Sequence, residues 1–485
     1  LSWSSKAQQE PVELVQAKSL EGSQGAQKYI KLKNDVVFKQ GNMFLYCDSA
    51  FQYNATNYIE AFGHVRLTQG DTLSMICNHL QYDGNTKQAI ARGNVVLIDK
   101  NTTLTSDVLR YNRTTSTVYY TKGATIKDQE NILKSVQGVY DIQSKTFHFS
   151  NNVSVDNKKK GFTLNADSLT YSTLTQLVVF SGKATITTKD GVVNAAQGAY
   201  HTVTKVLYLG GRARVASGEN WIEADTLHFD DIAQIGKANG RVHIWNMKDS
   251  IHIWGDKALY FGKRGRNEVF GHAYLYQIES KDTLFLKADT LIYINDTTLQ
   301  VKVLKAYPHV EVYKTLLQAV CDSLVYNFKD SIIGFYKTPI LWNEENQLSA
   351  DTIRVYFLNK KINRMDMFPN SFLVSIDTLN NFNQVKGKRM TAYFSSGDIH
   401  HVIVDGNAES LYHALEGDKK LIGVNKANAA AIQLYFSDKK LKSITYLKNP
   451  EASFIPPHKI APADKKLKGF KWEASKRPSR KDFKV

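Results

Sequence analysis

The residues able to do chemistry recur on a schedule. A small residue followed by an acid or amide stands at Cys47-Asp48, Cys77-Asn78, Ser106-Asp107, Ala166-Asp167, Ala224-Asp225, Gly255-Asp256, Ala288-Asp289, Cys321-Asp322 and Ala350-Asp351. Carboxylates in such a series could supply the acid and base of a polysaccharide-cleaving β-solenoid. A catalytic residue is a local singularity, however, and these recur in every unit, which favours a structural corner. Cys47 and Cys77 lie one unit apart, at least two strands or about 10 Å, too far for a disulfide; they fill a column held elsewhere by Ala, Ser and Gly. His64, His243, His272 and the pair His400-His401 have no ligand spacing, and no phosphate loop, dinucleotide fingerprint, nucleophile elbow or His-Glu-x-x-His occurs. The sequence therefore implies no catalytic residue, no cofactor and no metal. Asp-(Ser/Thr)-aliphatic triplets at Asp71, Asp167, Asp225, Asp289 and Asp322 resemble the O-glycosylation signal of some Gram-negative bacteria, but most of them fall at the proposed corners.

The schedule itself is a repeat. The aromatic that ends a Leu-x-Tyr motif falls at Tyr53, Tyr82, Tyr111, Tyr140, Tyr171, Tyr200, Phe229, Tyr260, Tyr293 and Tyr326, a spacing of 29 to 33 residues. A fixed period of this length means stacked supersecondary units, each touching mainly its neighbours. Abundant Tyr, Val, Ile and Thr, with turn residues every 8–12 positions, reads as short β-strands. After each closing Gly, or its substitute, apolar residues occupy the second and fourth places. The column includes Val36 and Phe38, Val65 and Leu67, Val95 and Leu97, Val153 and Val155, Ile186, Val215, and Val242 with Ile244. A period of two puts each pair on one strand face. At Gly123 the phase slips, with Ala124 and Ile126 apolar, and a register shift is expected there.

A second alternation changes phase at the Asp or Asn: Leu73, Met75 and Cys77 are odd, Leu80 and Tyr82 even. A strand keeps one side inward across such a switch only through an extra residue. An Asp or Asn side chain can take up the freed N–H. Each unit is expected to bend sharply, so that stacked bends give an elongated open β-jellyroll or solenoid of V-shaped units, with an apolar groove lined by that column.

At 485 residues with a net charge of +16, the chain suits an anionic partner. No apolar run is long enough for a membrane-spanning helix. Leu1–Ala7 reads as a signal remnant, the span 1–25 with it as a flexible leader, 26–345 as regular repeats and 346–457 as degenerate ones. Residues 458–485, with ten cations against three acids, read as a solvated basic tail. Lys468-Gly469-Phe470-Lys471-Trp472 sits within it.

Gly93-Asn94-Val95-Val96-Leu97 with Leu104-Thr105-Ser106-Asp107-Val108-Leu109-Arg110-Tyr111, and Leu164-Asn165-Ala166-Asp167-Ser168-Leu169-Thr170-Tyr171, resemble the OstA-like family of lipopolysaccharide-transport proteins. The resemblance spans about residues 30 to 455. Gly406-Asn407-Ala408-Glu409-Ser410-Leu411-Tyr412 resembles the long Bacteroidetes-type members. It implies a non-enzymatic protein with a β-jellyroll open along one side, binding lipid A acyl chains of lipopolysaccharide in its groove. It also implies a periplasmic location, with association to the outer membrane. The implied partners are inner- and outer-membrane transport components with related jellyroll domains, and further copies joined end to end, not nucleic acid. On this reading Val36, Phe38, Val65, Leu67, Val95, Leu97, Val153, Val155, Ile186, Val215, Val242 and Ile244 line the lipid site, and a charge at Val153 is expected to be tolerated. The other class left open is a structural or adhesive cell-envelope repeat protein, whose interior would be fully packed.

Overall fold

A computed structural model describes residues 10–22, 28–71, 73–159, 161–248, 250–278, 282–296, 298–359, 361–395, 398–417, 419–437 and 440–483. The expected signal remnant, Leu1–Ala7, lies outside them. The described chain is all-β apart from short 3-10 turns. It divides into two compact units, Leu1–Gly218 with Asp225–Ile232, and Glu219–Ala224 with Ala233–Val485.

In unit 1 most strands run 11 or 12 residues, from Ile30–Gln40 and Met43–Tyr53 to Val206–Ser217, and these long strands pair antiparallel with their chain neighbours. Each is bent. The register jumps between Phe62 and Val65 opposite His79 and Cys77, and between Arg92 and Val95 opposite Val108 and Ser106. The extra residue thus sits in the Gly-x strand, not at the Asp or Asn as the phase switch suggested. The Gly-x pair takes two successive left-handed conformations, Gly63 at φ 72° with His64 at 40°, and Gly93 at 76° with Asn94 at 48°. Two such residues in a row turn the strand. The Asp stands opposite as the single skipped residue and closes the corner: Lys183 N–H donates to Asp167 Oδ2 at 2.8 Å. A Cβ on Gly63 would collide with the Asp48 carboxylate.

The bend folds each strand into two arms that face each other. Gln40 pairs with Met43, which lies opposite Gln69, which lies opposite Leu73. Tyr82 stands nine residues beyond Leu73 on the same strand, about 30 Å away in a flat sheet. Yet the Tyr82 hydroxyl donates to Gln40 Oε1. Only a folded sheet, its first arm carrying Val36–Gln40 and its second arm carrying Leu80–Tyr82, brings them together. At Gly123 the expected slip is present: the strands Thr117–Tyr120 and Ala124–Lys127 are separate. Ile126 is buried opposite Leu104 and Leu133.

The leader expectation gives way where the structure describes it. Glu13–Gln16 and Ser19–Gly22 both pair with Ile30–Gln40, covering its outer edge, and Val12 is buried. Their sequence is too polar to show the alternation that marks the other strands.

In unit 2 the long bent strands continue to Thr283–Asp296. From Val301–Tyr307 and Val310–Lys314 the corner breaks the strand in two, until Asp398–Glu416 and Lys420–Ser437 cross it unbroken again. The inner faces are tightly filled: Ile353, Val355, Met365, Met367, Met390, Ala392, Val402 and Val404 are all buried.

The C-terminal segment is not a solvated tail. It runs as a strap of 3-10 turns, Pro457–Lys459, Pro462–Lys465, Ala474–Lys476 and Arg480–Asp482, over the outer face of unit 2. Phe285, Tyr313, Gln318, Trp342, Gln347, Val374, Gln384 and Leu411 stand directly opposite one another in turn, so they form one row on that face. Gln384 Nε2 donates to Lys465 O and its Oε1 accepts from Leu467 N–H. Gln347 does the same with Lys471 O and Glu473 N–H, and Gln318 Oε1 accepts from Arg477 Nε at 2.8 Å. Leu467 packs on Leu411 and Val424. Phe483, 1% exposed, stacks among Tyr274, Phe285 and Tyr313. The described lysines of the strap are exposed, which is why its composition reads as solvated.

Candidate functional site: the apolar interior

The interior between the two arms is built by the expected column. Val36, Phe38, Val65, Leu67, Val95, Leu97, Val153, Val155 and Val242 are buried, whereas Ile186, Val215 and Ile244 are half-buried. Within unit 1, Leu45 pairs with Phe38 and Leu67, Met75 with Leu67 and Leu97, and Leu164 with Val155 and Ile186. Toward the corner the interior narrows onto Cys47, Cys77, Ala166, Ala184, Ala195 and Ala213, all buried. Burial pushes the Cys47 thiol up to about 12 and that of Cys77 to about 11, so both stay protonated and act as small apolar fillers.

The interior is not equally closed along its length. Over the first repeats, polar residues at the tip of the first arm meet phenols at the tip of the second. Tyr82 donates to Gln40, Tyr111 to Gln69, and Tyr140 to Asp99 Oδ2 at 2.5 Å. Gln40 Nε2 also donates to Gly84 O at 3.1 Å, and Lys145 Nζ lies 2.6 Å from Asp99 Oδ2. Burial raises all three phenol pKa values, that of Tyr111 to about 12. We refer to these contacts as clasps. They join partners 41 or 42 residues apart and escape a search at the 29-residue period. Their sequence signal is the polar residue that follows the apolar pair: Gln40, Gln69, Asp99.

Farther along unit 1 the clasps stop. Asp128 instead accepts from Glu130 N–H and Asn131 N–H in its own turn, and Tyr171 is half-buried. Thr188 bonds within its own hairpin, to Gly191 O. Here Ile186, Val193 and Val215 are half-buried, as are Val178, Tyr200 and Leu207 on the opposing arm. In unit 2, Ile222, Ile244 and Ile253 are half-buried too, before the packed stretch that begins at Leu275 and Leu286.

The other residues picked out by chemistry are corner furniture. His64 and His272 pair with Asp48 and Asp256 at 2.7 and 2.9 Å, both exposed. His243 stacks between Trp245 and Trp254. Among the described residues, no group of three or more His, Cys, Asp or Glu could hold a metal ion. The hydroxyls of Ser168 and Ser323 in the Asp-Ser triplets bond to Ser181 and Asp322; Thr72 lies outside the described residues. A recess of about 650 Å3 at the slipped corner is lined by Asn94, Ser106, Asp107, Gly123, Ser135 and Asn152 among others. No described helix is long and apolar enough to cross a membrane.

Fold and site together define an all-β repeat protein with an apolar interior, clasped shut over part of its length and open over another. Residues 9–167 match the family model of OstA-like proteins, the family that the repeats resemble. Among solved structures it is similar to LptH, the LptA-homologous periplasmic component of the lipopolysaccharide transport device of Pseudomonas aeruginosa. The identity is 17%, over 24% of this chain and 79% of that one, at a TM-score of 0.21. No curated protein matches the chain.

Proposed function

We propose that this protein holds the acyl chains of lipopolysaccharide, through its lipid A, in the interior of the jellyroll. On this reading it passes the lipid toward the outer membrane across the periplasm without chemical change. The observation that carries the reading is the half-buried apolar stretch of Ile186, Val193 and Val215 on one arm and Val178, Tyr200 and Leu207 on the other. A packed scaffold would bury such residues at about 25 cal/mol per Å2, whereas a cargo site leaves apolar surface for its ligand. The OstA-like match over residues 9–167 supports the same class.

The test is a photo-reactive residue at Ile186, compared with one at the exposed Thr187 on the opposite strand face. Cross-linking to lipopolysaccharide from Ile186 alone is expected. Equal labelling at both, or none, refutes the reading. The scaffold alternative draws on the packed inner face of unit 2, and saturable lipid binding by the full chain is the result that would dismiss it.

A further inference from the structure

The clasps have a definite extent. Three consecutive repeats are clasped, by Gln40–Tyr82, Gln69–Tyr111 and Asp99–Tyr140, and beneath them Phe38, Leu67 and Leu97 are buried. The equivalent pairing two repeats beyond the register slip would join Thr188 to Phe229, and a phenyl ring has no hydroxyl to donate. Beside that position Ile186 and Val215 are half-exposed. Between the last clasp and that position Ile126, Leu133, Val155 and Leu164 stay buried, so unit 1 opens only beyond the last clasp, two repeats farther along.

We propose that the clasps set the boundary of the cargo site. Acyl chains enter unit 1 only beyond the last clasp, and Gln40, Gln69 and Asp99 with their tyrosines are positioning residues that exclude lipid from the first repeats. This rests on the lipid-holding reading above. The physical basis is that a hydroxyl–amide or hydroxyl–carboxylate bond between arm tips can open only by taking the buried tyrosine hydroxyl away from its acceptor in an apolar setting. An acyl chain supplies no replacement hydrogen bond. Where the tip residues bond within their own hairpins, as Asp128 and Thr188 do, those bonds survive when the arms part.

Two variants of the full chain move the boundary in opposite directions. Tyr111→Phe removes one clasp. Thr188→Gln with Phe229→Tyr supplies the chemistry of a clasp where none exists. The probe is purified lipopolysaccharide, with photo-reactive residues at Leu67 and, separately, at Ile186. The unaltered chain is expected to label from Ile186 and not from Leu67. Tyr111→Phe should bring Leu67 into labelling range, and the double variant should reduce labelling at Ile186. A lipid-free readout separates this proposal from the function it rests on: Cys47 and Cys77 lie within the clasped interior, while Cys321 belongs to unit 2. Tyr111→Phe should speed thiol labelling of Cys77 relative to Cys321 in the absence of any lipid. Equal labelling of Leu67 and Ile186 in the unaltered chain overturns the proposal and leaves the lipid reading standing, as does an unchanged Cys77 rate. Absence of labelling at every position, with the thiol acceleration present, overturns the lipid reading while the clasps keep their closing role.

Discussion

Removing the strap should cost unit 2 most of its stability and leave unit 1 intact. Two of its anchors are buried apolar side chains, Leu467 and Phe483. Truncating such residues to alanine costs about 2–5 kcal/mol for Leu and about 3–5 for Phe. The two sit at opposite ends of the strap, on Leu411 and Val424 in one case and on Phe285 and Tyr313 in the other, so their effects should add. Gln318, Gln347 and Gln384 are each almost fully buried. Without the strap each loses the hydrogen bonds it makes to the strap, at about 1 kcal/mol for each bond. The sum approaches the whole stability of an ordinary domain, about 5–15 kcal/mol. Ending the chain after Pro457 should therefore lower or abolish one calorimetric transition and open unit 2 to limited proteolysis, while fragments of unit 1 persist. Leu467→Ala and Phe483→Ala should each give a partial shift of the same transition. A truncated chain that melts like the full one would show that the strap merely rests on the sheet.

Alkaline pH should weaken the fold early. Burial raises Cys77 to about 11 and Cys47, Cys321, Tyr111, Tyr120 and Tyr274 to about 12. The unfolded chain loses these protons near about pH 9 for thiols and about 10 for phenols, while the native state still holds them. Stability present below about pH 9 should fall as pH rises toward about 12, visible as a steep drop in urea midpoint. Ala224→Phe should be worse than Val96→Phe, because Ala224 is fully buried at its corner and Val96 is half-exposed on the outer face. Overpacking there costs about 1–3 kcal/mol or more, and equal melting temperatures would deny the constriction. Val153→Asp should destabilise strongly, since Val153 is 1% exposed and a carboxylate there has no partner. Ile186→Asp should stay folded by circular dichroism and lose lipopolysaccharide binding. Reversal of that order would move the open stretch to Val153.

The repeat, the bend and the inward column were legible because each imposes a period on the sequence: 29 residues for the unit, two for the strand face. The period of two by itself places Val36 through Leu97 in the interior. The strand carrying the extra residue was not legible, since a phase change at Asn78 and a pair of left-handed residues at Gly63-His64 and Gly93-Asn94 on the neighbouring strands leave the same pattern. Val153 misled because a column shows direction and not depth. It looks like Ile186 in sequence, yet Val153 is buried and Ile186 only half-buried. The strap is illegible in the sequence for a different reason. Its contacts fall near Lys465, Lys471, Arg477 and Phe483, six residues apart, and several are made by backbone atoms, which any sequence supplies.

The clasps also bear on how such a chain can change length. Gln40 reaches the tyrosine of the following repeat, as do Gln69 and Asp99. Every clasp therefore crosses one repeat boundary, and every clasped repeat offers the same two half-sites. Excising one whole 29-residue period would hand Gln40 the phenol of Tyr111 in place of Tyr82, with the hydrogen bond and the strand register both preserved. Excising a single strand would put an up-running strand where a down-running one must pair. Insertions and deletions compatible with this architecture come in whole periods, so the length of the closed stretch can be altered by duplication without redesigning any contact.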